Sequence, residues 1–193
     1  MSTTPNPGAP ALGGKFPQGQ KTGWLSRVQR ISLAAVVIVG CASVLMLGLF
    51  KLRESANRAK CRSNLGAIGY AILLYEGENA GRYPDSLATL LKTEPLTPVL
   101  FVCPSSNDEA AEGGSQAVIL ANMTKPHHVS YVYVGNGLTA ATVKDDTLIA
   151  YELPANHHGE GMNMLFGNDG CAEWEPMAAA KALIAKATAA TQP

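Results

Sequence analysis

Charged side chains are scarce in this chain: 16 % of its 193 residues are Asp, Glu, Lys or Arg, against about a quarter in an ordinary soluble domain. Acids are nearly missing from its first third. Residues 1–62 hold nine basic residues and one acid, Glu54, a net of 9 − 1 = +8, whereas residues 63–193 hold six basic and fourteen acidic residues, a net of −8. The part long enough to bury a core is therefore acidic, which excludes nucleic acid as its main partner. No G-x-S-x-G, no Gly-rich phosphate loop after a strand and no His-Glu-x-x-His occurs, so neither a catalytic site nor a cofactor is expected and the chain does not read as an enzyme. C-x-x-C is absent too, which removes the usual spacing of a zinc site.

What is present begins with an uncharged run. Residues 31–50, from Ile31 to Phe50, hold twenty residues without a charge, bounded by Arg27 and Arg30 before and Lys51 and Arg53 after. As a helix this run is roughly 30 Å long, the thickness of a bilayer's hydrocarbon core. It is apolar all round, unlike an amphipathic core helix, so a single transmembrane span over 27–50 is expected. Four basic residues precede it and five follow closely, so their count hardly orients it. An early span followed by a large domain ordinarily acts as a signal anchor, which puts the N-terminus in the cytoplasm. The expected location is the cell inner membrane, single-pass, with the C-terminal domain in the periplasm or outside. Residues 1–22 carry four Pro, four Gly and no acid, so 1–26 reads as a disordered cytoplasmic tail. Ile38-Val39-Gly40-Cys41 has the residue order of a lipobox, but nine uncharged residues follow Cys41 where a lipoprotein turns polar.

Beyond the span, Cys61, Leu65, Ile68, Ile72 and Tyr75 recur at spacings of four and three, the stripe of an amphipathic helix. No Pro interrupts the chain from Ser26 to Arg82, so 51–76 is read as an extension of the same helix. Gly66 and Gly69 weaken it by about 1 kcal/mol each without forbidding it. GENAGRY (77–83) ends the helix, and a short second one follows through Leu87, Leu90 and Leu91, capped by Asp85 or Ser86. The pattern then changes to strands at 99–103, 117–121, 129–134, 147–152 and 162–166, separated by turn-rich pieces. With no helices between them, they predict an antiparallel sheet in an α+β domain over 77–175. Residues 176–193 form an Ala-rich tail that reads as a C-terminal helix.

This layout resembles type IV pilins and pseudopilins, and five short pieces strengthen the likeness. Cys61-Arg62-Ser63-Asn64-Leu65-Gly66-Ala67-Ile68-Gly69 is similar to the C-x-S-N-L-x-x-I-G stretch of pilin-like proteins of the planctomycete type. Gly81-Arg82-Tyr83-Pro84, Phe101-Val102-Cys103-Pro104 and Ser130-Tyr131-Val132-Tyr133 resemble their G-x-Y-P, C-P and S-Y-x-Y motifs. The segment from His158 to Asp169-Gly170, with Glu173-Trp174, resembles their His, nine residues, Asp-Gly pattern, here with ten intervening residues and Cys171 where the family has His. The standard prepilin cleavage motif is lacking: Gly23-Trp24 is its nearest equivalent, Val28 occupies the position of the Glu, and the span holds no acid. The resemblance implies a pilin-like fold, a membrane-anchored structural or assembly component, and other pilin-like subunits or secretion and pilus assembly proteins as partners. The missing Glu favours an alternative, a membrane-tethered extracytoplasmic binding domain that does not polymerise. A metal-binding sensor domain is a third reading.

Three cysteines, Cys61, Cys103 and Cys171, lie in the exported part, which permits at most one internal disulfide. Cys61–Cys103 is the expected pair, because both sit in the motifs the resemblance selects; such a bridge stabilises by about 4 kcal/mol in the chain-entropy model. The four histidines form two adjacent pairs, His127-His128 and His157-His158. Neighbours in an extended chain point to opposite sides, so a pair seldom gives two ligands to one ion. His157 or His158 with Asp169, Glu173 and Cys171 is the weak metal candidate, with His158 and Asp169 as its principal members; hydrogen-bonded loop histidines are the default. Asn168-Asp169-Gly170 reads as a hairpin turn ahead of a calcium loop. Asp108, Glu109 and Glu112 read as a solvated acidic loop.

Overall fold

The computed structural model describes residues 22–167 and 169–190. The first helix, α1 (Thr22–Glu78), belongs to two compact units, one up to Gly48 and one from Leu49 onward. In the first unit every described side chain from Arg27 to Gly48 is exposed. The most apolar window of α1 has a mean hydropathy of 2.6 with none of it buried, so the helix is long and apolar enough to cross a membrane. The tail expected over 1–26 lies outside the described residues as far as residue 21, and α1 takes in the remainder.

In the second unit the expected stripe on α1 is the buried one. Cys61, Leu65 and Ile68 have no exposure and Ile72 has 2 %, whereas Tyr70 on another face is 64 % exposed. The helix ends where Ala80 and Gly81 take positive φ, 54° and 77°. Helix α2 (Leu87–Thr93) follows, with Ser86 as its cap: Ser86 Oγ accepts the Thr89 N–H at 3.2 Å.

Two expected strands are absent. Residues 99–103 form instead a 3-10 turn, Pro98–Phe101, then an irregular stretch. Pro98 occupies its first position and Pro95 and Pro104 flank it, so backbone donors that a sheet ladder needs are lacking. Residues 117–121 belong to helix α3 (Gln116–Met123), whose N-cap Ser115 accepts the Val118 N–H at 3.4 Å. A short apolar run does not separate strand from helix by itself, and here the cap and the helix formers Ala117, Leu120, Ala121 and Met123 decide.

The remaining strands are β1 (Tyr131–Tyr133), β2 (Leu148–Glu152), β3 (Gly161–Phe166) and β4 (Ala172–Pro176). They pair antiparallel in the order β1-β2-β3-β4, with Tyr131 opposite Glu152, Tyr151 opposite Met164 and Leu165 opposite Ala172. Helix α4 (Met177–Ala190) closes the chain. Both faces of the sheet are covered. Leu65, Ile68 and Ile72 of α1 share one buried cluster with Ile149, Ala150, Leu165 and Ala172. Leu148, Met162 and Met164 share another with Ala180 of α4. A register shift between Leu148 and Ala150 turns Ile149 and Ala150 both toward α1 and restores alternation, so that Tyr151 faces α4 and Glu152 faces α1. The fold is thus α+β, with a long N-terminal helix, a four-stranded antiparallel sheet and a C-terminal helix.

Candidate functional site

The short motifs meet one another in the folded domain. Asn64, buried on α1, donates from Nδ2 to the carbonyl of Val102 at 3.2 Å, which fixes the chain just ahead of Cys103. The Cys103 N–H donates to Ser130 Oγ at 2.9 Å, and that hydroxyl donates to Asp108 Oδ2 at 2.7 Å. Asp108 therefore departs from the solvated loop expected of it: its side chain is 9 % exposed. Tyr133 donates its hydroxyl proton to the carbonyl of Pro84 at 2.8 Å. These bonds bring α1, the Cys-Pro segment and β1 to a common point beside the end of β2.

Four side chains converge there. Cys61 of α1, Cys103, Glu152 at the end of β2 and His157 are all buried, and one ligating atom from each lies within 4.8 Å of the others. His157 Nε2 is 3.5 Å from Cys103 Sγ and 3.3 Å from Glu152 Oε1. Its Nδ1 donates to Glu54 Oε1 at 2.7 Å. Glu54 also accepts from Ser105 Oγ at 2.9 Å and Arg58 Nε at 3.1 Å. The carboxylate of Glu152 accepts the Asn163 N–H at 2.7 Å and its Nδ2 at 3.0 Å. Trp174 sets its ring edge-on to the His157 imidazole, centroids 5.5 Å apart, and the guanidinium of Arg58 lies 4.4 Å over the Trp174 ring. Gly161 permits this stacking, since a Cβ there would come within 2.6 Å of the Trp174 ring.

His157 reaches the cluster by an unusual backbone route. It lies in a 3-10 turn, Asn156–Gly159, where His157 and His158 both have left-handed φ, 53° and 56°. For residues with a Cβ that geometry costs about 1–3 kcal/mol each. It turns His157 wholly inward while the His158 side chain stays 78 % exposed. The adjacent pair thus contributes one member, and the cause is the left-handed backbone at both residues and not an extended chain.

The charge state follows from the packing. Burial alone would lower the basicity of His157, but its bonds to Cys103 and Glu152 outweigh that and push its pKa up to about 10. The hydrogen bond from Cys61 and then that from His157 pull Cys103 down to about 6, while the same bond to Cys103 and burial push Cys61 well up. Burial opposes ionisation of Glu54, yet the bonds from His157, Ser105 and Arg58 hold it below the usual carboxylate range. These shifts favour the thiolate at Cys103 and the protonated forms of His157 and Cys61. Such a thiolate is a nucleophile in principle, but Cys103 is only 1 % exposed and no substrate can approach it. Two thiols, an imidazole and a carboxylate at this spacing can either close a disulfide or hold a cation.

The structure brings Cys61 and Cys103, the expected disulfide pair, together as free thiols. Neither His158 nor Asp169 belongs to the cluster. His158 Nε2 approaches Glu54 Oε2 at 3.9 Å, and Asp169 Oδ1 accepts the Cys171 N–H at 3.0 Å in the exposed β3–β4 loop. Asn168, the first residue of the expected Asn168-Asp169-Gly170 hairpin turn, lies outside the described residues. His127 and His128 are loop residues, the first 3.3 Å from Asp108 Oδ1 and the second donating from Nδ1 to the Glu109 carbonyl at 2.9 Å. Glu152 and Glu54 as site residues escape sequence reasoning, and His157, expected as a candidate beside Asp169, Glu173 and Cys171, meets Cys61, Cys103 and Glu152 instead. The signals were there: a Glu at the end of an otherwise apolar strand, and a lone acid in a basic stretch.

No protein-family model, curated protein or solved structure matches this chain.

Proposed function

We propose that the chain is a membrane-anchored, pilin-like structural or assembly component related to type IV pilus and type II secretion pseudopilins. It sits in the cell inner membrane with the sheet domain in the periplasm or outside. The observation that carries this reading is the division of α1: exposed and apolar from Ile31 to Phe50, then striped from Cys61 to Ile72 with its buried face against an antiparallel sheet. That is the division of labour of a pilin subunit, in which a lipid-soluble helix half serves association and a packed half carries a domain whose loops meet partners. The work is packing, not chemistry, and other pilin-like subunits or secretion and pilus assembly proteins are the partners it fits.

A second reading, a tethered extracytoplasmic binding domain that does not polymerise, is favoured by one feature. The span holds no acid, and Val28 stands where prepilins carry Glu. Shearing surface fibres from cells and mapping the N-terminal peptide of the membrane-bound protein decides between them. Co-sedimentation with fibres, with a new N-terminus at Trp24, is the expected result. An unprocessed chain found solely as a membrane-bound monomer overturns the assembly role and leaves the tether.

A further inference from the structure

We propose that Cys61, Cys103, Glu152 and His157 form a structural zinc site. It stands independently of the pilin-like reading, because it rests on the geometry of the domain alone. Two sulfurs, an imidazole nitrogen and a carboxylate oxygen make a complete tetrahedral donor set for Zn2+. Two of the six donor–donor distances match a tetrahedron's edges, and all six lie within 4.8 Å. With Zn–S of about 2.3 Å and Zn–N or Zn–O of about 2.0–2.1 Å, an S···N edge is about 3.5 Å and an N···O edge about 3.3 Å. Cys103 Sγ to His157 Nε2 is 3.5 Å and His157 Nε2 to Glu152 Oε1 is 3.3 Å.

The surroundings are those a zinc site needs. Glu54 takes the Nδ1–H of His157 at 2.7 Å, which orients the ring so that Nε2 is the atom directed at the centre. Asn163 binds the Glu152 carboxylate through two N–H groups, and Ser130 holds the Cys103 backbone. All four donors are buried, so no position is left open to water or substrate, which makes the site structural and not catalytic. The four come from α1, the segment after the 3-10 turn Pro98–Phe101, β2 and the left-handed turn after it. One ion therefore ties the packed half of α1 to the sheet, the task a Cys61–Cys103 disulfide would perform for two of these elements.

The test uses the full-length chain taken from membranes in detergent without chelators, with free thiols alkylated at lysis in one portion. The expected result is one zinc per chain by elemental analysis, with Cys61 and Cys103 reduced. Metal-free protein titrated with Co2+ should develop thiolate-to-cobalt charge-transfer absorption and tetrahedral d–d bands that saturate at one equivalent. C171S should keep the full zinc content and C103S should lose it. E54Q, which retains all four donors, should bind zinc about 10–100-fold more weakly in chelator competition. A Cys61–Cys103 disulfide in the alkylated portion would overturn the proposal. So would reduced thiols that take up neither Zn2+ nor Co2+, or one equivalent of a different first-row metal.

Discussion

Replacing Gly69 by Ala sets two effects of opposite sign against each other. Inside a helix the change recovers about 1 kcal/mol of propensity. At this position, however, a Cβ would stand 2.6 Å from the carbonyl oxygen of Gly170 and 2.8 Å from Leu165 Cδ1. Neither neighbour yields easily. Leu165 is 2 % exposed within the core, and Gly170 holds a positive φ of 67° with its own α-carbon turned toward Gly69. Overpacking of this kind costs about 1–3 kcal/mol, so a net loss of about 1 kcal/mol is expected once the propensity gain is subtracted. Gly66 is one helical turn away on the same approach, yet its Cβ would meet Gly170 O at an ordinary 3.8 Å. Gly66→Ala should therefore gain about 1 kcal/mol. Thermal unfolding of the full-length protein in detergent, followed by circular dichroism, reads the difference, at about 3 °C per kcal/mol for a domain this size. If Gly69→Ala proves as stable as Gly66→Ala, the close approach of the β3–β4 loop to α1 is refuted.

The same helix offers a test of its two environments. Leu65→Ala should destabilise the domain by about 2–5 kcal/mol in denaturant titration, because Leu65 has no exposure. Leu45→Ala, at a position 68 % exposed, should leave the domain's unfolding midpoint unchanged. On the opposite side of the domain, Lys186 Nζ sits 3.0 Å from Asp146 Oδ2 and holds that carboxyl below its ordinary 3.8. The pair's contribution is therefore present above pH 3.8 and is lost as the pH falls through the lowered value. NMR titration should show the Asp146 midpoint rise on Lys186→Ala, and an unmoved midpoint would remove the contact between α4 and the β1–β2 connection.

Much of the fold was legible because its signals are periodic. An uncharged run of twenty residues needs no tertiary information, and the 3–4 spacing from Cys61 to Tyr75 names the buried face of α1 directly. Strands β2 and β3 were found nearly to the residue because both are apolar runs bounded by turns. The failures at 99–103 and 117–121 share a cause. Runs of four or five apolar residues fit either element, and the outcome is set by flanking groups: prolines in one case, the Ser115 cap in the other. The cluster was only half legible. Cys61 and Cys103 stand in recognisable motifs, but their partners Glu152 and His157 are brought to them by sheet register and by a left-handed turn, neither of which a local pattern encodes.

Glu54 shows how a residue unremarkable in sequence becomes decisive in space. It is the one acid among the first 62 residues, and the domain brings to it Ser105, Arg58 and His157, each from a different stretch of chain or helical turn. Its value lies in making the strained turn tolerable. Two successive left-handed residues cost about 1–3 kcal/mol each, and a hydrogen bond between charged groups returns about 1.5–3 kcal/mol. The bond from His157 to Glu54 therefore offsets the strain at one of the two residues, and the packing of His157 against Trp174 and the Cys103–Glu152 pair must supply the rest. A basic or apolar residue at position 54 would leave His157 buried with Nδ1 unpaired and the turn without that bond's compensation. An acceptor at position 54 thus supports the turn, and the turn places an imidazole at the meeting point of α1 and the sheet.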